Sequence, residues 1–323
     1  MKKEDLRIVF MGTPDFAVDS LRALVENQYH IVGVITMPDK PMGRHRSTLQ
    51  QSAVKQYALS VGLPVLQPER LKDEQFLEEL QALKADLQIV VAFRMLPEVV
   101  WKMPSLGTFN LHAALLPQYR GAAPINWAII NGDTETGVTT FFLTPEIDTG
   151  RIILQKHLPI ADTDDMETVH DALMKIGSGA VLETVDLLLE GKVNAIPQEQ
   201  FMREGEELRP APKIFKETCR IDWHQPTKKI YDFIRGLSPY PAAWTELVDK
   251  EGVHQELKIF QSEKILEASE LPAGTIRADK NHIDMATEDG FLRILSLQLA
   301  GKKRMSAKDF LNGNKQIEEY HAE

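Results

Sequence analysis

The stretch LRIVFMGTPDFAVDSLRALV, residues 6–25, decides the fold class of this chain. Residues 6–11 form a short apolar run that reads as a strand. Gly12, Thr13 and Pro14 interrupt it, with Thr13 expected as a helix N-cap and Pro14 at the first helical position. Phe16, Ala17, Leu21, Leu24 and Val25 then recur at helical spacing. Strand, tight turn and helix in that order open a βα unit.

The same alternation continues outward. Residues 31–36, 65–66, 87–93 and 108–112 read as further strands, with helices expected over 52–61 and 73–84. Residues 89–93 are continuously apolar, as a central parallel strand covered on both faces requires. Pro124 opens another helix through residue 131, residues 137–143 resume extended structure, and a long helix over about 165–190 follows. Residues 191–212 are polar and carry Pro197, Pro210 and Pro212, a composition expected of a connector. Beyond it, residues 243–248, 257–261, 274–278, 282–286 and 291–297 give short alternating segments with turn signals, read as a small β-barrel. The expected organisation is an α/β domain with a mostly parallel sheet over 1–192, a linker over 193–212 and a barrel domain over 213–323.

Composition sets the outer limits. At 323 residues two domains are the default, and 43% apolar with 26% charged residues is ordinary for a globular protein. MKKEDLRIVFMG passes from charges straight into a strand, so no signal peptide is expected, and no apolar run is long enough to cross a bilayer. Cys219 stands alone, which excludes an intramolecular disulfide and fits a reducing cytoplasm. The net charge of −10 argues against general affinity for nucleic acid. From Ala211 onward, however, 17 Lys and Arg face 18 Asp and Glu, so nearly all the excess acid lies before it. Lys302, Lys303 and Arg304 permit a local basic face there.

The chemistry concentrates in FNLHAALLPQYRGAAPIN, residues 109–126, and EIDTG, residues 146–150. Asn110 and His112 lie two apart on a strand, so their side chains share a direction, near the carboxyl edge where α/β sheets place ligands. Moving an acyl group to an amine passes through a tetrahedral adduct with an oxyanion. An Asn amide and an imidazole N–H can hold that oxygen, and the imidazole can relay a proton. A carboxylate nearby, for which Asp148 is the candidate, would orient the ring and accept the proton shed by the attacking ammonium. Asp-Thr-Gly also matches the aspartic-protease loop, but that chemistry needs two such carboxylates and the chain has one such motif. Gly12-Thr13-Pro14 resembles a ligand-binding βα turn without the GxGxxG dinucleotide pattern. No spacing of His, Cys, Asp or Glu suggests a zinc site, and no metal is expected.

Taken together these motifs resemble the methionyl-tRNA formyltransferases over nearly the whole chain. The resemblance is carried by RIVFMGTPDFA (7–17), PMGR (41–44), NLHAALLPQYRGAAPIN (110–126), TGVTTFFLTPEIDTG (136–150), IDW (221–223), IRGLSPYPAAWT (234–245) and LSLQLAGKKRMSAKDFLNG (295–313). The middle motifs are common to folate-dependent formyltransferases, and the C-terminal ones point to the tRNA enzymes. The resemblance implies a Rossmann-like formyltransferase domain followed by an OB-like barrel that binds tRNA. It implies transfer of formyl from 10-formyltetrahydrofolate to methionine on initiator tRNA, in the cytoplasm, by a monomer without metal. Asn110, His112 and Asp148 match the family's catalytic trio. Phe93, Arg94, Met95 and Leu96, with Leu115, Leu116 and Pro117, match its folate pocket. Gly12, Thr13, Pro14 and Arg44, with Lys302, Lys303 and Arg304, fall to the substrate and tRNA side. Three departures stand out: VVAFRMLP (90–97) replaces a Gly-containing loop, Ala114 replaces a Ser, and HRSTLQQS (45–52) lacks a common Gly. A formyltransferase acting on a small amine, a hydrolase releasing formate, and a non-enzymatic RNA-binding module remain the alternatives.

Overall fold

The computed structural model describes residues 2–42, 48–314 and 316–323. The chain divides into two compact units. The first comprises the chain up to Gly121, Thr136–Leu158 and His170–Pro210; the second comprises Ala122–Glu135, Pro159–Val169 and Ala211–Glu323.

In chain order the first part carries β1 (Arg7–Gly12), α1 (Val18–Glu26), β2 (His30–Ile35), β3 (Lys40–Met42), β4 (Thr48–Gln50), α2 (Ala53–Ser60), β5 (Val65–Leu66), α3 (Glu74–Ala82), β6 (Leu87–Val91), α4 (Glu98–Trp101) and β7 (Thr108–His112). Then come α5 (Pro124–Ile130), β8 (Glu135–Phe142), β9 (Ile152–Pro159) and α6 (Met166–Leu189). The main sheet runs β5-β2-β1-β6-β7-β8-β9. β5 to β7 pair in parallel, and β8 runs antiparallel to β7. From β1 the chain steps outward through β2 and β5, then returns to the other side of β1 with β6. That reversal places a ligand crevice outside the carboxyl ends of β1, β6 and β7.

Residue chemistry explains these elements and where expectation fails. All five positions of β6 are buried, as suits its apolar residues Leu87, Ile89, Val90 and Val91, while the buried Gln88 Oε1 accepts from Thr108 Oγ1 at 3.1 Å. It ends at Val91 rather than at residue 93 because Ala92 takes a left-handed φ of 47°. Thr13 is not the N-cap of a helix. Residues Asp15–Ala17 form a 3-10 turn after Pro14, and the Thr13 hydroxyl lies instead 3.4 Å from the Met37 amide, beyond the end of β2. Ser52 does cap α2, accepting from Lys55 N at 3.1 Å. β9, an edge strand of mixed exposure, has only a short apolar run at residues 152–154 before turning polar. β3 and β4 pair as a hairpin, Lys40 opposite Gln50 and Pro41 opposite Leu49. At its base Asp39 joins Lys55 Nζ at 2.6 Å and Gln67 Nε2 at 2.7 Å. Residues 191–210, polar enough to suggest a connector, belong to the first unit: Ile196 bridges Ile152, and Gln198 is only 1% exposed.

The second unit is built on α7 (Thr227–Leu237), β10 (Ala243–Val248), β11 (His254–Ile265), β12 (Ile276–Ala278), β13 (Ile283–Ala286), β14 (Phe291–Leu299), β15 (Met305–Ser306), α8 (Ala307–Gly313) and β16 (His321–Ala322). The strands run β12-β13-β14-β11-β10-β16, antiparallel throughout. A bridge between Thr275 and His321 brings the two ends together, so the sheet is a near-closed barrel. Trp223 lies 2% exposed in its core and donates Nε1–H to Thr245 Oγ1 at 2.9 Å. Asp289 accepts the Thr227 amide at 2.8 Å and so satisfies an orphan donor at the start of α7. α5 belongs to this unit despite its early place in the chain, and Asn126 Nδ2 donates to Gly236 O on α7 at 2.8 Å.

Candidate active site

β7 places two polar side chains at its carboxyl end. Asn110 is aligned with Val90 on β6 and Phe141 on β8, and His112 is aligned with Thr139. Two residues apart, their side chains leave the same face of the sheet. Asn110 is partly exposed, and among the described residues its amide has no hydrogen-bond partner. His112 is 7% exposed and sits edge-on to the Phe141 ring.

The imidazole has one firm hydrogen bond. Its Nε2 lies 2.8 Å from the carbonyl oxygen of Tyr119. A carbonyl can only accept, so Nε2 carries the proton and the neutral ring is the Nε2–H tautomer. Nδ1 is thereby left free for chemistry, and it faces Asp148 Oδ2 at 3.9 Å. That is ion-pair range, beyond a direct hydrogen bond. The ring is therefore oriented by the Tyr119 carbonyl, where the sequence reading expected a carboxylate to do it. Tyr119 takes φ 61° and is held by its own amide donating to Arg209 O at 2.7 Å. The same segment turns back to the carboxylate, since Gly121 N donates to Asp148 Oδ2 at 2.9 Å.

Asp148 itself is left-handed, φ 55°, a conformation that Asp adopts more readily than most residues but still at about 1–2 kcal/mol. Two features hold it. A Cβ at Gly150 would stand 1.6 Å from Phe142 O, so only glycine lets the loop close against β8. Gln198 Nε2 donates to both Asp148 O and Gly150 O at 2.8 Å, and its Oε1 accepts from Arg120 Nη2 at 2.7 Å. Gln198, Arg120, Tyr119 and Gly121 had no place in the sequence reading. Gln198 lies 50 residues from Asp148 in the chain, beyond the reach of any local pattern.

The loop after β7 is tied by other long-range bonds. Thr139 Oγ1 donates to Ala114 O at 2.7 Å, and Gln155 Nε2 donates to Leu116 O at 2.8 Å. Leu116 is 1% exposed and packs with Phe141 and Ile152, Pro117 is buried, and Leu115 is partly buried. Leu96 is 6% exposed within the core formed by Val9, Met11 and Val90. Phe93 is partly buried, whereas Met95 is 66% exposed. Arg94 folds back: its guanidinium donates to Glu69 O at 2.8 Å and to Pro68 O, and burial pulls its pKa below the ordinary value.

On the substrate side, a Cβ at Gly12 would meet Ala17 Cβ at 2.7 Å and Val91 O at 2.9 Å. Glycine there lets the turn after β1 lie against the end of β6. Thr13 and Pro14 follow in that turn. Arg44 lies outside the described residues. Lys302 and Lys303 are exposed in the turn between β14 and β15, with no ion pair among the described residues. Arg304 is exposed, stacks 4.3 Å from the Phe260 ring and donates to Ser296 Oγ at 2.9 Å. Among the described residues, ligand atoms at metal spacing gather only at Glu246, His254 and Glu323, on the second unit. No helix of the described residues is long and apolar enough to cross a membrane.

Comparison with known proteins follows this geometry. Residues 6–185 match the formyl transferase family model, and residues 213–315 match the formyl transferase C-terminal domain. The chain is 76% identical to a methionyl-tRNA formyltransferase of Parabacteroides distasonis, over 99% of both chains. It is 53% identical to one from Porphyromonas gingivalis strain W83, over 97% of both. Among solved structures, an N-formyltransferase from Helicobacter canadensis in complex with folinic acid and dTDP-3-aminofucose aligns with a TM-score of 0.64 at 20% identity, over 93% of this chain and 100% of that one. HypX from Aquifex aeolicus in complex with tetrahydrofolic acid aligns with a TM-score of 0.64 at 19% identity, over 96% of this chain and 48% of that one. The chain thus spans about half of HypX, and both likenesses speak to fold alone.

Proposed function

This chain belongs to the formyl transferase family, and from that membership we propose that it transfers the formyl group of 10-formyltetrahydrofolate to the α-amino group of methionine on initiator methionyl-tRNA, the reaction that readies this tRNA for translation initiation. The observation that carries the chemical part is the pairing of a free His112 Nδ1 with Asp148 Oδ2 at 3.9 Å, on the strand end that also offers the uncommitted amide of Asn110. The tRNA part is supported by curated relatives that share the whole length of the chain.

The roles follow from the donor and acceptor inventory. The methionine ammonium loses a proton, and its nitrogen forms a bond to the formyl carbon. The carbonyl π electrons move to oxygen, and the Asn110 N–H groups stabilise that oxyanion. Asp148 accepts the ammonium proton, directly or through a water, while His112 Nδ1 holds or passes a proton beside it. The newly bonded nitrogen, cationic in the adduct, gives up a second proton, which His112 Nδ1 passes to the departing donor nitrogen; the oxyanion re-forms the carbonyl as the bond between the formyl carbon and that nitrogen breaks, and the first proton leaves Asp148 for water. No step calls for a metal.

In this reading the folate donor meets Phe93 to Leu96 and Leu115 to Pro117. Of these, Leu96, Leu116 and Pro117 are the buried ones. Arg44, Lys302, Lys303 and Arg304 supply phosphate contacts, and the turn of Gly12, Thr13 and Pro14 faces the substrate. The catalytic domain is built on residues 1–192 together with 193–210, which fold as part of the first unit, and the barrel over 213–323 takes the tRNA. The enzyme works as a monomer in the cytoplasm.

The test is a choice of acceptors. Initiator methionyl-tRNA, glycinamide ribonucleotide and a nucleotide-linked amino sugar are each incubated with the protein and 10-formyltetrahydrofolate, and the products are weighed by mass spectrometry. Formyl on methionine alone is expected. Formyl on a small amine, with methionyl-tRNA untouched, refutes the assignment.

A further inference from the structure

We propose that Gln198, seated on Arg120, is a positioning residue for the transfer: it fixes the left-handed turn that delivers the Asp148 carboxylate to His112. This rests on the catalytic reading of Asn110, His112 and Asp148 given above.

The geometry is a closed set of bonds. Gln198 is 1% exposed, and both polar atoms of its amide are engaged. Nε2 donates to Asp148 O and to Gly150 O, each at 2.8 Å. Oε1 accepts from Arg120 Nε at 3.1 Å and Nη2 at 2.7 Å. A flipped amide would set oxygen against two carbonyls and nitrogen against a guanidinium, so only one orientation satisfies the network. Pinning carbonyls 148 and 150 fixes the peptide planes that follow Asp148 and Gly150, which bracket the turn, and with them the direction of the Asp148 side chain.

Arg120 makes the device specific to the site. Its chain neighbours are the two residues that hold the reacting groups: Tyr119 accepts from His112 Nε2 at 2.8 Å, and Gly121 donates to Asp148 Oδ2 at 2.9 Å. One buried amide therefore ties the segment gripping the imidazole to the loop bearing the carboxylate. Gln198 comes from the polar stretch after α6, and nothing in the proposed reaction asks it to meet substrate.

Three variants and two readouts test this. Gln198→Met keeps the length of the side chain without its hydrogen bonds, Gln198→Ala removes both, and Asp148→Ala removes the carboxylate. In Gln198→Met and Gln198→Ala, kcat for formylation is expected to fall by about 10–100-fold, with KM for tRNA and for the folate donor within about twofold, as for a misplaced catalytic group. Amide hydrogen exchange over 146–151 is expected to quicken by at least about tenfold in both variants, with strands β6 and β7 unchanged. The double variant Gln198→Met/Asp148→Ala is expected to be no more than about twofold slower than Asp148→Ala, because the clamp acts through that carboxylate. Wild-type kcat in Gln198→Met, unchanged exchange at 146–151, or losses that multiply in the double variant each overturn the proposal. Wild-type turnover in Asp148→Ala overturns the reading beneath it and the positioning role together; that failure is recognised by faster exchange persisting in Gln198→Met.

Discussion

His112 and Asp148 meet through Nδ1 and Oδ2 at 3.9 Å, while each is also bound by the same short backbone segment. Tyr119 O binds the ring at Nε2, and Gly121 N binds the carboxylate at Oδ2. Charge and ring are thus set by main-chain groups rather than by each other. The arrangement leaves Nδ1 open toward whatever enters between them. Asn110, on the same face of β7, adds an amide donor with no competing partner among the described residues.

From that division of labour, Asn110→Ala is expected to remove an oxyanion donor and little else. Its kcat is expected to fall by about 10²–10³-fold with KM for both substrates within about threefold. Steady-state formylation kinetics check this. A rise in KM at constant kcat would place Asn110 in ground-state binding instead.

Gly150→Ala asks whether the Asp148 loop is fixed by close contact. The added methyl would stand 1.6 Å from Phe142 O, so the loop has to move away from β8. Turnover is expected to fall by about tenfold or more, in line with the sensitivity of catalysis to small misplacements. Thermal unfolding is expected to show a loss of about 1–3 kcal/mol, as for overpacked sites. Wild-type values for both would show that the loop has slack this account denies it.

Much of the fold was legible because local periodicity carries it. Residues 108–112 were read as a strand and form β7, and the apolar run at 89–91 lies inside β6, buried on every residue. The strand at 152–159 was not foreseen: at a sheet edge, Gln155, Lys156 and His157 are as acceptable as apolar residues. α7 is absent from the expected elements although Ile230, Ile234 and Leu237 hold helical spacing. Of the candidate site, Asn110, His112 and Asp148 were singled out for their chemistry. Tyr119, Gly121 and Gln198 act through main-chain groups or over long separations, which residue type alone does not encode. Thr13 differs for a related reason: a hydroxyl before Pro14 suits an N-cap, and the approach of Thr36 and Met37 gives it other partners.

Asp284 gives a pH-dependent prediction in the barrel. Its carboxylate is 5% exposed and lies 2.8 Å from Arg293 Nε and 3.1 Å from Arg277 Nη2. Burial alone pushes the carboxyl up, but the two guanidinium partners outweigh it and hold it below the ordinary value. A depressed carboxyl stabilises the folded state above its unfolded pKa of about 3.9, and this is lost as pH falls through the folded value. Asp284→Asn is expected to reduce stability at pH 7 by about 3–5 kcal/mol. The deficit is expected to shrink as pH falls below about 4, where the unfolded carboxyl takes up a proton that the native one still resists. Urea unfolding from pH 7 to about pH 3 measures it, and a deficit that stays constant across that range contradicts the ion-pair account.

Phosphate contacts are expected to show in salt dependence. Arg44→Ala, and separately Lys302→Ala with Lys303→Ala, are expected to weaken tRNA binding and flatten the plot of log K against log salt by about one unit per lost contact. Filter binding between about 50 and 200 mM salt measures the slope. An unchanged slope in both variants would move the tRNA contacts elsewhere.

The most direct test of the central claim is single-turnover formylation with enzyme in excess over methionyl-tRNA, by rapid quench, in the wild-type protein and in His112→Ala and Asp148→Ala. The wild type is expected to give formyl-methionine, with a rate at least about 100-fold lower in each variant and the same fraction of tRNA bound in all three. Formylation at the wild-type rate by either variant would contradict that claim.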